Sequence, residues 1–242
     1  IAISKDYGQS WSHEARNGKL FDGPSATPMF IQYDKNHWAT SDEPWVYAYF
    51  PCSYAGQSYW NNNDGMKLGR VDMHQLTNRS RWQFYVGSAS TDWSYNIDDA
   101  VMVFEYPNMT GQNVVSYNRI LRRYIFANYG FYDGLTGQPR AWHQVKPTRD
   151  RRWSQLTMWE APAPWGPFRM FHMENDWGGV EADYTPTFPT KWMSDDGLRI
   201  WMVHSGWWED YNFATLEVTL QLRAQRESAS GPGPRPRANR ET

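Results

Sequence analysis

Thr185–Ser205 reads T-P-T-F-P-T-K-W-M-S-D-D-G-L-R-I-W-M-V-H-S. A short aromatic run meets a polar S-D-D-G turn, and a second run rich in branched and aromatic residues follows. That is the pattern of two antiparallel strands joined tightly. The same pattern occurs twice upstream. T-P-M-F-I-Q-Y at Thr27 leads through a polar stretch to W-V-Y-A-Y-F at Trp45, and V-V-S-Y-N at Val114 leads to R-Y-I-F-A-N-Y at Arg123. After each pair comes a long loop and a third strand: M-K-L-G-R-V, L-T-M-W-E-A or F-A-T-L-E-V-T-L. A fourth, W-Q-F-Y-V or F-R-M-F-H-M, follows the first two of these. The spacing predicts a four-stranded antiparallel unit recurring every ~75 to 80 residues, as in propeller blades with large insertions.

Composition agrees with an all-β chain. In 242 residues there are 15 Trp, 15 Tyr and 11 Phe, 41 aromatics against 28 Leu, Ile and Val. A helical bundle needs aliphatic stripes, and no segment keeps a 3.6-residue period. Strands are expected at Met29 to Tyr33, Trp45 to Phe50, Lys67 to Val71, Trp82 to Val86, Val114 to Asn118 and Tyr124 to Asn128. Further ones are expected at Leu156 to Glu160, Phe168 to Met173, Arg199 to Ser205 and Ala214 to Leu222. No run is long and apolar enough for a membrane-spanning helix. The first residues carry no signal-peptide pattern, so the chain reads as processed or partial. Formal net charge is −2, which gives nucleic acid no basic field to bind. Residues 1–222 are read as one domain. Residues 223–242 hold five Arg and two Glu, with Pro, Gly and Ser, and are read as a flexible tail. The lone cysteine, Cys52, permits no intrachain disulfide and is read as a small core filler.

Ser4, Asp6, Gly8 and Trp11 form S-x-D-x-G-x-x-W, which resembles the Asp-box of sialidase-type propellers. The resemblance implies a structural turn between the third and fourth strands of a blade, with Trp11 packed between sheets. D-G-M-K-L-G-R-V at Asp64, V-S-Y-N at Val115, M-W-E-A-P-A-P-W-G-P-F at Met158 and the Thr185 stretch extend the likeness over most of residues 1–222. They resemble a large family of secreted five-bladed propellers, many labelled only as a domain of unknown function, that includes endo-D-arabinanases. The resemblance implies a secreted, extracellular, carbohydrate-active protein. Family members begin with one or two blades ahead of the Asp-box that have no counterpart here. The expectation is therefore a partial ring of roughly thirteen strands, against ~20 for five blades, completed by a longer polypeptide or another chain.

In such blades the loops from strand two to three, and from four to the next strand one, share one face. Here they are long and carry Trp60, Trp93, Trp142, Trp177, Trp207 and Trp208 beside amides and carboxylates. Indole faces stack on sugar C–H faces while hydroxyls bond acids and amides, so the expected partner is a polysaccharide or oligosaccharide. Glycoside hydrolysis needs two carboxyl groups, and Asp64, Glu174 and Asp176 are the catalytic candidates. Asn63, Arg70, Trp93, Trp142, His143, Trp177, Glu209 and Asp210, with the other loop Trp residues, are the substrate-binding candidates, and Arg70 is a candidate to orient Asp64. His172, in a strand, is read as structural. The expected function is a glycoside hydrolase. The alternatives are a polysaccharide lyase, with a Tyr, His or Lys base, and a non-catalytic glycan-binding or assembly module. No metal-ligand spacing or phosphate loop occurs, so no cofactor is expected; the N-N-N-D run offers oxygens for Ca²⁺ without a dedicated loop's spacing. Asn78-Arg79-Ser80 and Asn108-Met109-Thr110 are N-glycosylation sequons if the chain passes through a eukaryotic secretory route.

Overall fold

The computed structural model describes residues 1–13, 20–21, 27–33, 44–54, 62–87, 91–134, 136–139, 152–177, 183–206 and 213–223. Strands β1 (Ala2–Ile3) and β2 (Ser12–His13) form an opening hairpin. A first sheet holds β3 (Met29–Phe30), β5 (Trp45–Cys52), β6 (Asn63–Asp72), β7 (Gln83–Tyr85) and β8 (Trp93–Ser94), while β4 (Gln32–Tyr33), just past β3 in the chain, is the edge strand of the second sheet. β9 (Met102–Thr110) pairs with the first half of β6, while β7 takes its second half. The second sheet is the meander β10 (Ser116–Asn118), β11 (Arg123–Asp133), β12 (Arg152–Ala161) and β13 (Arg169–Trp177). The third is β14 (Tyr184–Thr187), β15 (Arg199–Ser205) and β16 (Phe213–Thr219). The architecture is all-β, and no α-helix occurs among the described residues.

The strands expected from the sequence are present, with shifts at their ends. β11 runs on to Asp133 and β12 begins at Arg152, so Tyr132 lies in a strand where a loop is expected. β13 likewise extends to Trp177. β9 was not expected; its M-V-F-E-Y run alternates properly, but Pro107 and the turn-rich segment before it mask the signal. Among the described residues β16 pairs with β15 alone.

The sheets stack in chain order because the first and second carry apolar side chains on both faces and the third carries them on the face toward the second. Ala48, Phe50, Trp82 and Phe84 of the first sheet pack against Phe21 and Ile1. Its other face meets the second sheet through Tyr49, Met66, Phe104, Phe126 and Phe168. The second sheet's far face meets the third through Leu156, Met158, Phe188, Ile200 and Met202. Edge-to-face ring pairs fill these layers: Phe104 lies 5.0 Å from Phe126 and 4.9 Å from Trp159. Such pairs add about 0.5–1.5 kcal/mol each beyond the area they bury.

The leading strands of the sheets lie side by side. β4 and β10 are parallel neighbours, with Ser116 opposite Gln32. The Ser116 hydroxyl donates to the Phe188 carbonyl just beyond β14, and Asn118 Nδ2 donates to the Gly197 carbonyl at 2.8 Å. Arg70 projects from β6 between Trp45 and Trp93, its guanidinium carbon 4.2 and 3.9 Å from the two ring centres, while its Nε donates to Gln83.

The opening turn is held by local hydrogen bonds from Ser4 and Ser10 to Asp6, and its tryptophan departs from the expectation. Asp6 accepts from the Ser10 hydroxyl and backbone N–H and from the Ser4 hydroxyl, and Gly8 has φ +86°. Trp11 does not pack between sheets. It is 62% exposed and folds back to donate its indole N–H to the Gly8 carbonyl, because no sheet stands over this hairpin among the described residues.

Two predictions follow from the packing and the turn. Gly65 lets β6 and β9 approach so closely that a Cβ there would collide with the Phe104 carbonyl oxygen. Gly65→Ala is expected to cost about 1–3 kcal/mol, read as a lower urea midpoint. The Ser10 hydrogen bonds, with that of Ser4, hold the Asp6 carboxyl down at about 2 from an ordinary 3.8. A depressed carboxyl braces the fold above its unfolded value and releases it as the pH falls. The Ser10 amide resonance should therefore move between pH 4 and about 2, and Asp6→Asn should abolish that movement.

Candidate functional site

Apart from the parallel pair β4–β10, strand direction alternates within each sheet, so the connections β5–β6, β11–β12, β13–β14 and β15–β16 emerge at one end, together with the segment carrying β9. Long connections gathered on one end of a rigid scaffold are where binding groups concentrate. The richest described cluster there surrounds the start of β6.

Asp64 is 6% exposed. Its Oδ2 accepts from the Ser53 hydroxyl at 3.0 Å and the Tyr54 backbone N–H at 2.8 Å, and its Oδ1 accepts from the Asn108 backbone N–H at 3.0 Å. One carboxylate thus ties the end of β5 to a bulged turn of β9, where Asn108 has φ +59°. Tyr54 reaches outward, and its hydroxyl donates to Glu105 Oε2 at 2.7 Å. That hydrogen bond raises the Tyr54 hydroxyl above its ordinary 10.0, with nearby Asp64 adding to the effect. Two acids are therefore linked through one tyrosine, Asp64 inside and Glu105 outside.

Amides brace the wall behind them. Asn62 both donates to and accepts from the Phe131 backbone, at 2.7 and 2.9 Å, and Asn63 Nδ2 donates to the Thr110 carbonyl. Asn128 accepts from Asn113 and the Gly111 N–H and donates to the Met109 carbonyl and Thr157. These buried amides fasten β9 to β11 and leave the Asp64–Glu105 rim little freedom. Cys52 is buried beside it, and burial pushes its thiol up to about 11, so it is not a thiolate at neutral pH.

The other candidates scatter. Arg70 shares β6 with Asp64 but stands six residues along it, about 20 Å away at a strand's rise. It is clamped by Trp45 and Trp93 and does not orient Asp64, and Trp93 is packed on Tyr85 and Tyr47 as well. Trp177 is 4% exposed in the layer between the second and third sheets, so its faces are not a platform. Glu174 is exposed on β13, 3.9 Å from His172. Asp176 is exposed with φ +61°, and its N–H donates to the Tyr132 hydroxyl. Trp60, Trp142, His143, Trp207, Trp208, Glu209 and Asp210 lie outside the described residues. Among the described residues no three His, Cys, Asp or Glu side chains group to hold a metal ion. Tyr54 and Glu105 were not singled out in the sequence. Their signal lies in β9, whose alternation places Glu105 opposite Gly65.

No protein-family model matches the chain, and no curated protein matches it either.

Asp64→Ala strips a charged acceptor from two backbone N–H groups and a hydroxyl. It is expected to cost about 3 kcal/mol or more, read by thermal or urea unfolding. Glu105→Gln should leave the fold intact and bring the Tyr54 titration back toward its ordinary value, read by ultraviolet absorbance above pH 9.

Proposed function

We propose that this chain is a β-propeller, or part of one, that acts on a polysaccharide as a secreted glycoside hydrolase. Three features support the propeller: the sheets repeat in sequence, they stack serially in chain order, and β4 and β10 lie side by side. The observation that carries the chemistry is the linkage of Asp64 and Glu105 through Tyr54 on the end where the connections gather. Hydrolysis of a glycosidic bond needs a carboxylate to attack, or to activate water, and an acid to protonate the leaving oxygen. Glu105 suits the first role. It is exposed, and the Tyr54 hydroxyl donates to its Oε2 and fixes the carboxyl group. Asp64, spent on three donors, sets the position of Tyr54 and hence of Glu105. Glu174 and Asp176, exposed at the end of β13 on the same side, are the remaining described candidates for the acid. No helix among the described residues is long and apolar enough to cross a membrane.

A second reading, a glycan-binding module without turnover, is favoured by one observation: the hydrogen bonds of Asp64 bind it into the scaffold and leave Glu105 as the one exposed acid of the cluster among the described residues.

Reducing-sugar release from a panel of plant, fungal and bacterial polysaccharides separates the two. The hydrolase reading expects release by the wild type and at least a hundredfold loss in Glu105→Gln, with melting temperature unchanged. A product absorbing near 235 nm, as an unsaturated sugar does, would mark a lyase instead. Binding without release selects the module.

A further inference from the structure

The inward face of β15 carries Ile200 and Met202, both fully buried, and then His204. An apolar side chain would continue that face. His204 instead brings Nδ1 to 3.1 Å from Asp183 Oδ2, with the two side chains only 12% and 16% exposed. Burying a carboxylate and an imidazole without well-aligned hydrogen bonds is costly, and apolar replacements of similar volume are often neutral or stabilising. Stability therefore does not account for this pair, and a partly buried acid–imidazole pair at a rim is a candidate for function.

The two ring nitrogens differ. Nδ1 is sealed from solvent and close to Asp183, though not aligned with it as a hydrogen bond. A carboxylate at that distance favours the tautomer with its proton on Nδ1. Nε2 then presents a lone pair, has no partner among the described residues and is not sealed. Trp177 backs the ring, centroid to centroid 5.1 Å at 53°, and is itself fixed where its carbonyl accepts from the Ser154 hydroxyl.

The pair also stands in the right place. Trp177 ends β13, Asp183 precedes β14, and His204 lies next to the end of β15, so these strand ends converge where the connections gather. A trail of contacts leads back to Asp64. Asn62 bonds Phe131, Phe131 packs on Tyr129, and Tyr129 lies 6.4 Å from Tyr184, the neighbour of Asp183.

We propose that Asp183 and His204 form a sugar-binding subsite, in which His204 Nε2 accepts a hydrogen bond from a glycan hydroxyl and Asp183 positions the ring. The subsite rests on the glycan-acting reading and lies away from the Glu105 rim. It grips a sugar residue remote from the reacting bond, so its loss acts on binding and KM rather than on kcat.

The test is oligosaccharide affinity and turnover for wild type, His204→Leu, His204→Gln and Asp183→Asn, with melting temperatures. One hydrogen bond to a ligand predicts about tenfold weaker binding in His204→Leu, with kcat changed less than twofold. His204→Leu should keep or raise the melting temperature, and His204→Gln, whose amide can still accept, should retain more affinity. If His204→Leu unfolds, the affinities of His204→Gln and Asp183→Asn decide. Wild-type affinity in the folded variants, with the wild type binding glycan, overturns the subsite alone. A wild type that neither binds nor cleaves any glycan of the panel overturns the glycan-acting reading and the subsite with it.

Discussion

Among the described residues the first and second sheets are apolar on both faces, and that constraint shapes much else. A sheet with one wet face can stand alone, but one whose two faces carry Phe, Tyr, Trp and Met needs a neighbour on each side. The first sheet answers with Phe21 and Ile1 on one face and Phe126 and Phe168 on the other. Large rings suit this arrangement because they span the intersheet gap and lock by edge-to-face contact, where smaller aliphatic chains would have to interdigitate. The unusual excess of aromatic over aliphatic residues is thus a consequence of stacking many short strands with few long ones.

The stacked sheets also explain why polar groups are tolerated inside. Asn62, Asn113 and Asn128 are buried near the junction of the first and second sheets, where β9 departs from regular pairing. The backbone groups freed there would be orphaned, and the amides meet them. Asp64 does the same with a charge. Rigidity at the rim therefore comes from the repair of an irregular strand, and the exposed acid of Glu105 is carried on the repaired segment.

Much of the strand pattern was legible, because aromatic runs bounded by polar turns repeat along the chain and the strand period needs no tertiary knowledge. The Asp-box turn was legible too, since its hydrogen bonds are local; the fate of Trp11 was not, since that depends on what stands over the hairpin. The site was read less well for a physical reason. Sequence shows which residues sit on the loop-bearing end but not which way each faces. Trp177 and Trp93 were expected as platforms and are packing residues, because strand ends alternate between core and rim. Glu105 went unremarked because its strand is built from irregular pairing with β6, which no period reveals.

The single buried cysteine carries a consequence of another kind. Cys52 sits at the last position of β5, opposite Gly65 of β6, with a thiol too basic to react while enclosed. An alkylating reagent can reach it only when the end of β5 parts from β6 and water enters. The chain thus contains its own clock for local opening at the rim. The rate of thiol loss under native conditions measures how often that corner of the first sheet breathes, separately from unfolding of the whole stack.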